Sequence, residues 1–382
     1  MYEKNGPPAC EARGGKHYFM REGRIRHLFP GGNTPQGFFS YYNYIIPADA
    51  TRIFIMKGGP GTGKSTFMRK MGEAMLAQGY DVEYHHCSSD NNSLDGVVIT
   101  GLKVAFIDGT APHVVDPKNP GCVDEIIHLG DYWDEAGIVA HKRQIIAVNG
   151  EIGKSFQRAY RLLRAAKALY DDWKAAGAEA LDHAAANRST SRLMADLFGG
   201  AGDVGAGRIR KLFASAITPD GMVNYLDFSV WPAGRCFVIS GDPGTGKSTI
   251  IQKVINAALA QGLDVEAFYC PLDPDKPEHV VIPALDAAVT TSFIPHPYHA
   301  TRPPVSLLNM KDCIDTAVLA RHEAAITYDQ DLFWEMFVKA VACIKRAKQL
   351  HDELETYYVP HMDFTAIQNR WQKTYERVLS YR

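Results

Sequence analysis

The sequence predicts an α/β protein made of two similar domains, each a mainly parallel sheet flanked by helices and each ending in long helices. Three observations support this fold class. A glycine-rich stretch at residues 58–66 lies between an apolar run and a helical pattern. The same arrangement returns at residues 241–249. In both halves short β-branched runs alternate with helical patterns, which is typical of a parallel sheet covered on both faces.

The first glycine-rich stretch matches G-x-x-x-x-G-K-[ST], the phosphate-binding loop or P-loop. Residues 53–56 precede it as a buried strand, and a helix is expected from Thr66 to Gln78. Glycines let backbone N–H groups point at phosphate oxygens, and the helix adds its positive N-terminal end. Lys64 is predicted to reach the β- and γ-phosphates, and the Ser65 hydroxyl to ligate Mg²⁺. The predicted nucleotide-binding residues of this loop are Gly58, Gly59, Pro60, Gly61, Thr62, Gly63, Lys64, Ser65 and Thr66.

The second stretch repeats the motif, and Lys247 stands in it where Lys64 stands in the first. Ser248 is its predicted Mg²⁺ ligand. Further segments match in the same order and at nearly the same offset, among them residues 23–29 with 207–213 and residues 76–83 with 259–266. A co-linear series of this kind indicates that a whole domain was duplicated. The predicted nucleotide-binding residues of the second loop are Gly241, Asp242, Pro243, Gly244, Thr245, Gly246, Lys247, Ser248 and Thr249.

The duplication and the composition predict the domain limits. The first domain is expected at residues 17–198 and the second at 207–382, with a glycine-rich linker at 199–206 and a disordered tail at 1–16. Apolar residues at helical spacing predict long helices over 155–186 and 332–357, which form core or interdomain packing. A partner-binding helical arm is the alternative interpretation of these helices.

Composition excludes several classes of function. The 382 residues are 46% hydrophobic and 22% charged, as in an ordinary globular protein, and the net charge is −2. This charge gives no electrostatic footprint for nucleic acid or an anionic membrane. No run approaches the ~18 apolar residues of a membrane span, so a cytoplasmic location is expected. The seven cysteines lack C-x-x-C spacing, and neighbouring strand residues such as His86 and Cys87 point to opposite faces, so no transition metal is expected.

Asp108 is the predicted magnesium-binding acid of the first half, often called the Walker B acid. It ends the apolar run 104–108, where such an acid is expected beside the loop strand. A turn-forming aspartate is the alternative. The second half has Thr291 at the corresponding position, and Asp242 and Asp273 are the candidates to compensate. We therefore expect both halves to bind nucleotide and only the first to be well equipped for hydrolysis.

Other polar residues are placed at the carboxyl edge of the predicted sheets, where ligands bind in open α/β folds. Asp90 and its counterpart Asp273 follow the second strand, and either is a candidate base or substrate contact, or a turn residue. Two histidines follow the third strand as candidate γ-phosphate sensors or structural groups, His113 and His296. Two arginines without an arginine in the other half are candidate arginine fingers or exposed helix residues, Arg69 and Arg143.

Both loops with their flanks resemble the P-loop NTPase superfamily over nearly the whole chain. The spelling G-x-P-G-T-G-K-S-T is similar to that of AAA-type and related ATPases, although no D-E pair ends the Asp108 strand. The layout resembles a group of bacterial tandem P-loop proteins labelled as ATPases or nucleotide kinases. The repeated G-R-I-R-x-L-F and T-P-x-G segments and residues 107–113 carry that likeness. The resemblance implies ATP as ligand, with Mg²⁺.

Three functions remain open at this point. The first is an ATPase whose two sites face each other across a pseudo-twofold interface and drive or gate a conformational change. The second is a kinase that passes the γ-phosphoryl group to a small molecule or nucleotide, with Asp90 as base and a lid formed by the basic row Arg158, Arg161, Arg164 and Lys167. The third is a nucleotide-gated module that binds a protein partner with little turnover.

Overall fold

The computed structural model describes residues 23–199, 205–229, 233–293, 297–298 and 304–382, and it confirms the predicted fold class. The predicted tail 1–16 and most of the predicted linker lie outside the described residues, and the domain limits stay a prediction.

The first half contains β1 (Ile25–Leu28), β2 (Gly31–Thr34), β3 (Gly37–Ser40), β4 (Arg52–Lys57), α1 (Lys64–Ala77), β5 (Val82–His86), β6 (Leu94–Ile99), β7 (Val104–Asp108), β8 (Asp124–His128), α2 (Glu135–Ala140), α3 (Lys142–Glu179) and α4 (His183–Phe198). The second contains β9 (Ile209–Leu212), β10 (Ser215–Thr218), β11 (Gly221–Asn224), α5 (Leu226–Ser229), β12 (Arg235–Ser240), α6 (Lys247–Ala260), β13 (Val265–Cys270), β14 (Asp273–Ile282), β15 (Ala287–Ser292), β16 (Ser306–Asn309), α7 (Thr316–Ala320), α8 (Glu323–Glu355) and α9 (Phe364–Leu379).

Each half forms a sheet with the same strand order. The first sheet has the order β1-β5-β6-β7-β4-β8, and the second, written in the same direction, is β9-β13-β14-β15-β12-β16. Neighbouring strands are parallel except at β6 and β14, which run antiparallel to both neighbours. Residues 87–93 between β5 and β6 are too few for a parallel crossover, which needs a dozen residues or more. The Asp108 strand lies directly beside the loop strand, so both end at the edge where the P-loop begins.

The entry hairpins of the two halves join in a third sheet with the order β11-β10-β2-β3. Strands β10 and β2 pair at Ile217 and Asn33. Just before them, Phe29 N donates to Phe213 O and Phe213 N donates to Phe29 O, both at 3.0 Å. The two phenylalanines occupy matching positions of the repeat, so equivalent backbone groups of the two halves bond reciprocally.

Four charged side chains, one buried and three half-buried, connect the halves next to this sheet. We call them the charge cluster: the buried Glu83 and the half-buried Arg26, Arg210 and Glu266. Arg26 lies 2.9 Å from Glu83 and 2.7 Å from Glu266, and Arg210 lies 2.6 Å and 2.9 Å from the same carboxylates. Burial opposes ionisation of Glu83, but the two arginines outweigh it and hold the pKa of this carboxyl well below its usual range. The pKa of Glu266 is lowered in the same way. The cluster is therefore fully ionised across an interface within one chain.

Helices α3 and α8 pack along each other in antiparallel directions. Ile145 and Val148 near the start of α3 contact Leu350 and Leu354 near the end of α8. Further along, residues of α3 from 159 to 166 pack with residues of α8 from 333 to 344. Helix α8 alone is ~50 Å long at 1.5 Å per residue. This pairing agrees with the packing interpretation of the long helices, although their predicted limits were wrong: α3 begins at Lys142 and ends at Glu179.

The last helix of each half packs on the sheet of the other half. Leu193 and Leu197 of α4 lie in one core with the α6 residues 250–258. Ile367 and Val378 of α9 lie in the core formed by α1 and the first sheet. Helix α4 starts separately because the carboxylate of Asp182 accepts from two backbone N–H groups at its first turn. In the described ranges, no helix is long and apolar enough to cross a membrane.

Candidate phosphate-binding sites

The two glycine-rich loops have nearly the same backbone conformation. Gly63 and Gly246 precede their helices with φ of +85° and +84°. Gly61 and Gly244 are also left-handed, with φ of +66° and +85°. L-residues rarely adopt these values, which explains why all four positions are glycine, although the motif itself requires it only at Gly63 and Gly246. Each loop joins an inner strand, β4 or β12, to a fourteen-residue helix, the context expected of a phosphate cradle.

The loop lysines lie across the carbonyl groups of their own loops. Lys64 Nζ donates to Gly58 O at 3.0 Å and Gly59 O at 2.9 Å. Lys247 Nζ donates to the matching carbonyls of residues 241 and 242, at 2.6 and 2.7 Å. Burial lowers the pKa of Lys247 to about 8, although Glu278 and Asp242 oppose the shift. Both ammonium groups are therefore held at the loops, and that of Lys247 deprotonates unusually easily.

Asp108 lies at the first loop, as predicted from the sequence. It pairs in register with Met56, two residues before the loop, and its Oδ2 is 3.7 Å from Lys64 Nζ. Its other oxygen accepts from the backbone and hydroxyl of Thr110. Ser65 Oγ accepts from Leu94 N at 3.0 Å, which orients this hydroxyl at the start of α1. Carboxylate and hydroxyl oxygens are suitable ligands for Mg²⁺, so Asp108 and Ser65 fit that ion chemically.

The second loop has a different neighbour at this position. Thr291 pairs with Ile239, the register that Asp108 has with Met56, and its side chain is buried. The two acids that the sequence offered as substitutes are next to lysines. Asp242 is 3.6 Å from Lys311, and Asp273 has three lysines within 4 Å, Lys167, Lys174 and Lys276.

Glu278 is an acid that sequence reasoning missed. It lies on β14 and is the charged group that most strongly opposes the lowered pKa of Lys247. Its counterpart in the first half is Asp95 on β6. Both acids are on the antiparallel strands. The sequence signal that would have found them is that Asp95 and Glu278 are separated by the same number of residues as the two loop lysines.

Asp90 is bound to the other half of the chain. Its carboxylate is 3.2 Å from Lys348 Nζ on α8 and accepts from Ser93 Oγ at 3.0 Å. Asp273 and Lys167 of α3 repeat this pair at 3.7 Å. These contacts favour an ion pair between the halves over a free general base, and the catalytic role of Asp90 stays a prediction.

The remaining candidates are placed as follows. His113 is buried and stacks on Tyr42, and His296 lies outside the described residues. Arg69 donates to the Asn92 carbonyl, and Arg143 is exposed at the start of α3. Within the basic row, Lys167 contacts Asp171, and Arg164 donates to a backbone carbonyl of the first hairpin. These contacts of the basic row do not indicate a kinase lid that closes over the first loop.

Each loop is covered by residues at the end of a long helix from the other half or just after it. At the first loop, a Cβ on Gly59 would lie 3.0 Å from Tyr358, and one on Gly61 would lie 2.7 Å from Val359. At the second loop, a Cβ on Gly244 would lie 2.1 Å from Lys174 O of α3. These loops therefore need glycine both for their left-handed backbone and for their close contact with the other half.

Comparisons with known proteins agree with the loop geometry. A family model described as NTPase matches residues 236–281, which run from β12 through the second loop into β14. Over 42 residues the chain is 43% identical to nucleoside-triphosphatase THEP1 of Sulfurisphaera tokodaii, which covers 11% of this chain and 25% of that protein. The chain thus spans about a quarter of the length of this curated relative. No solved structure matches. Together with the motifs, these findings support a P-loop NTPase.

Proposed function

We propose that this protein binds ATP with Mg²⁺ at both loops, hydrolyses it mainly at the first, and uses this cycle to move α3 and α8. The observation that carries the proposal is the cover of each loop by a helix end from the opposite half. A ligand that changes a loop then acts directly on a helix belonging to the other half, across a pseudo-twofold interface.

At the first site the loop N–H groups and the N-terminus of α1 bind the phosphates. Lys64 exchanges its hydrogen bonds to Gly58 and Gly59 for bonds to phosphate oxygens. Asp108 and Ser65 hold Mg²⁺, which when bound neutralises the charge that develops on the transferred phosphoryl group. At the second site the loop and Lys247 offer the same cradle, but Thr291 takes the position of Asp108. The unequal acids are the basis for unequal turnover.

The coupling follows from the helix contacts. The end of α8 lies on the first loop and the end of α3 lies on the second. Between these ends the two helices share two groups of apolar contacts, one near the start of α3 and one further along the pair. Packed apolar surfaces shift between discrete arrangements and do not stretch, so a displacement at one loop is passed along the pair.

Separate substitution of the loop lysines tests the assignment. Lys64→Ala and Asp108→Asn are expected to abolish most steady-state phosphate release, whereas Lys247→Ala is expected to retain a large part of it. Asp116→Asn is the matched control, because this exposed aspartate on the same edge pairs only with Lys57 among the described ion pairs. Equal loss in the two lysine variants would contradict unequal sites.

The same assay separates the alternative functions. Phosphate release without an acceptor supports the ATPase. ADP formation that requires an added nucleotide or small molecule would instead indicate a kinase, and tight ATP binding without turnover would indicate a gated binding module.

A further inference from the structure

A thiol, a carboxyl group and an imidazole of the first half lie close together. Cys87 follows β5, Asp95 lies on β6, and His113 lies in the loop after β7. One potential ligand atom from each lies within 4.8 Å of the others, and Asp95 Oδ1 is 3.7 Å from His113 Nε2. Sulfur and nitrogen ligands at 2.0–2.3 Å from a tetrahedral ion are themselves roughly 3.4–3.8 Å apart. The three groups therefore need little movement to share one ion.

Two polar atoms of this cluster are buried and make no hydrogen bond within the described part of the chain, Asp95 Oδ2 and His113 Nδ1. The Tyr42 hydroxyl and the Cys87 thiol are polar neighbours of the Asp95 carboxyl. Asp95 is 4% exposed and His113 is 9% exposed. Buried polar groups in folded proteins are nearly always hydrogen-bonded, so groups without a partner call for an explanation such as an ion. Burial raises the pKa of the Asp95 carboxyl, and burial together with Asp95 raises that of the Cys87 thiol well above its usual range. A bound cation would displace these protons.

The duplication repeats the same three residue types. Cys270, Glu278 and His296 each follow their counterparts at the offset that separates the two loop lysines. In the second half, Glu278 contributes to the raised pKa of the Cys270 thiol, so the two side chains are neighbours there too. His296 lies outside the described residues. The surrounding positions have diverged, because His85 is replaced by Phe268 and Gly96 by His279 at the same offset. The repeated cysteine, acid and histidine thus stand out from their neighbours.

We propose that Cys87, Asp95 and His113 form a binding site for a divalent transition-metal ion of the Zn²⁺ type. A thiolate and an imidazole favour such an ion, whereas Mg²⁺ prefers oxygen ligands, so this site is distinct from that of Ser65 and Asp108. Three protein ligands leave a fourth position open. The ion fastens the loop after β7 to the ends of β5 and β6, and its binding does not depend on the proposed hydrolysis. The sequence expectation of no transition metal rested on the missing C-x-x-C spacing and on the His86–Cys87 neighbourhood, where His86 contacts His27 and Asn91 instead. Neither argument considered Asp95 and His113, which are distant from Cys87 in the sequence.

Cobalt is the probe for this site. The full chain is stripped with a chelator and titrated with Co²⁺, and thiolate-to-cobalt charge-transfer absorption is followed. We expect a saturable band that one added Zn²⁺ per site removes. Cys87→Ser is expected to lose at least half of the band, the remainder coming from Cys270. Cys122→Ser, an exposed cysteine elsewhere in the first half, is expected to keep all of it.

His113→Gln retains the thiol and is expected to weaken Co²⁺ binding at least tenfold, and far-ultraviolet circular dichroism checks that each variant is folded. The wild-type titration needs no variant and stands on its own. A wild-type chain without the charge-transfer band, or a folded Cys87→Ser protein with the full band, would overturn the proposal.

Discussion

The contact between α3 and the second loop depends on Gly177. A Cβ at this position would lie 2.2 Å from Pro243 O, a separation that real Cβ atoms essentially never show. Helix and loop would have to separate by roughly 0.8 Å or more to reach the shortest tolerated contact of 3.0 Å. Because the obstacle is a backbone carbonyl, no change of rotamer relieves it. Gly177→Ala therefore tests whether α3 is docked on the loop.

Gly153 is the matched control, since it lies in the same helix and a Cβ there meets nothing within 4 Å. Gly153→Ala is expected to stabilise the protein by about 0.5–1 kcal/mol through backbone entropy alone. Gly177→Ala is expected to gain no more stability than this from backbone entropy and to lose about 1–3 kcal/mol of stability because the added methyl group overpacks the contact. The difference between the two variants, about 1–3 kcal/mol, isolates the contact from helix propensity.

Thermal unfolding and nucleotide binding together measure this difference. For a domain of this size, 1 kcal/mol corresponds to about 2–4 °C in melting temperature. In a Lys64→Ala background, Gly177→Ala is expected to weaken binding of a fluorescent ATP analogue to the second loop, whereas Gly153→Ala leaves it unchanged. If the two variants melt together and bind the analogue equally, the docking of α3 on the second loop is refuted.

Three further predictions concern charge. Glu83→Gln is expected to cost about 3–5 kcal/mol in urea unfolding, because it removes the buried carboxylate that pairs with both arginines. Asp81→Asn, in a more exposed pair, is expected to cost about 0–1 kcal/mol, and equal costs would contradict the importance of the charge cluster. The folded pKa values of Glu83 and Glu266 lie below the unfolded value of ~4.3, so their stabilisation is present above that pH and is lost as pH falls through the folded pKa. Acid unfolding should therefore begin at higher pH in Glu83→Gln, and an unshifted profile would speak against this. Raising the pH through about 8 should weaken ATP binding at the second loop, because Lys247 loses its proton. This binding is measured in the Lys64→Ala variant, and an ATP affinity that stays constant from pH 7 to 9 would contradict the prediction.

The local features were readable from the sequence, and the long-range ones were not. The loop motifs, their strands and the constant offset between the halves depend on neighbours in the chain, so the position of Asp108 beside Lys64 could be predicted. The packing of α4 and α9 on the opposite half could not be predicted, because an apolar stripe shows that a helix face is buried without showing which core it contacts. Asp95 and Glu278 were missed because nothing local reveals that their strands insert antiparallel beside β7 and β15.

The charge cluster had a signal that was not used. Arg26 and Arg210 lie in matching segments, and so do Glu83 and Glu266. Glu83 and Glu266 lie on the predicted second strand of each half, and ionised groups are rarely buried unless paired. Opposite charges repeated in both halves could therefore have predicted a contact between the halves, but not which pairs cross it.

The two helix contacts differ in a way that bears on the division of roles. The nearest groups to the first loop are the side chains of Tyr358 and Val359, which follow α8 and can change rotamer without moving it, and Glu355 of α8 lies farther away. The second loop meets backbone, since Gly177 lies against Pro243 O and Gly244 against Lys174 O. We therefore expect a change in the second loop to displace α3, whereas the first loop can rearrange with rotamer changes in the side chains that cover it. This difference agrees with the proposal that turnover takes place at the first loop, which has Asp108, and that the second loop, which lacks an acid at that position but lies against the backbone of α3, transmits the change.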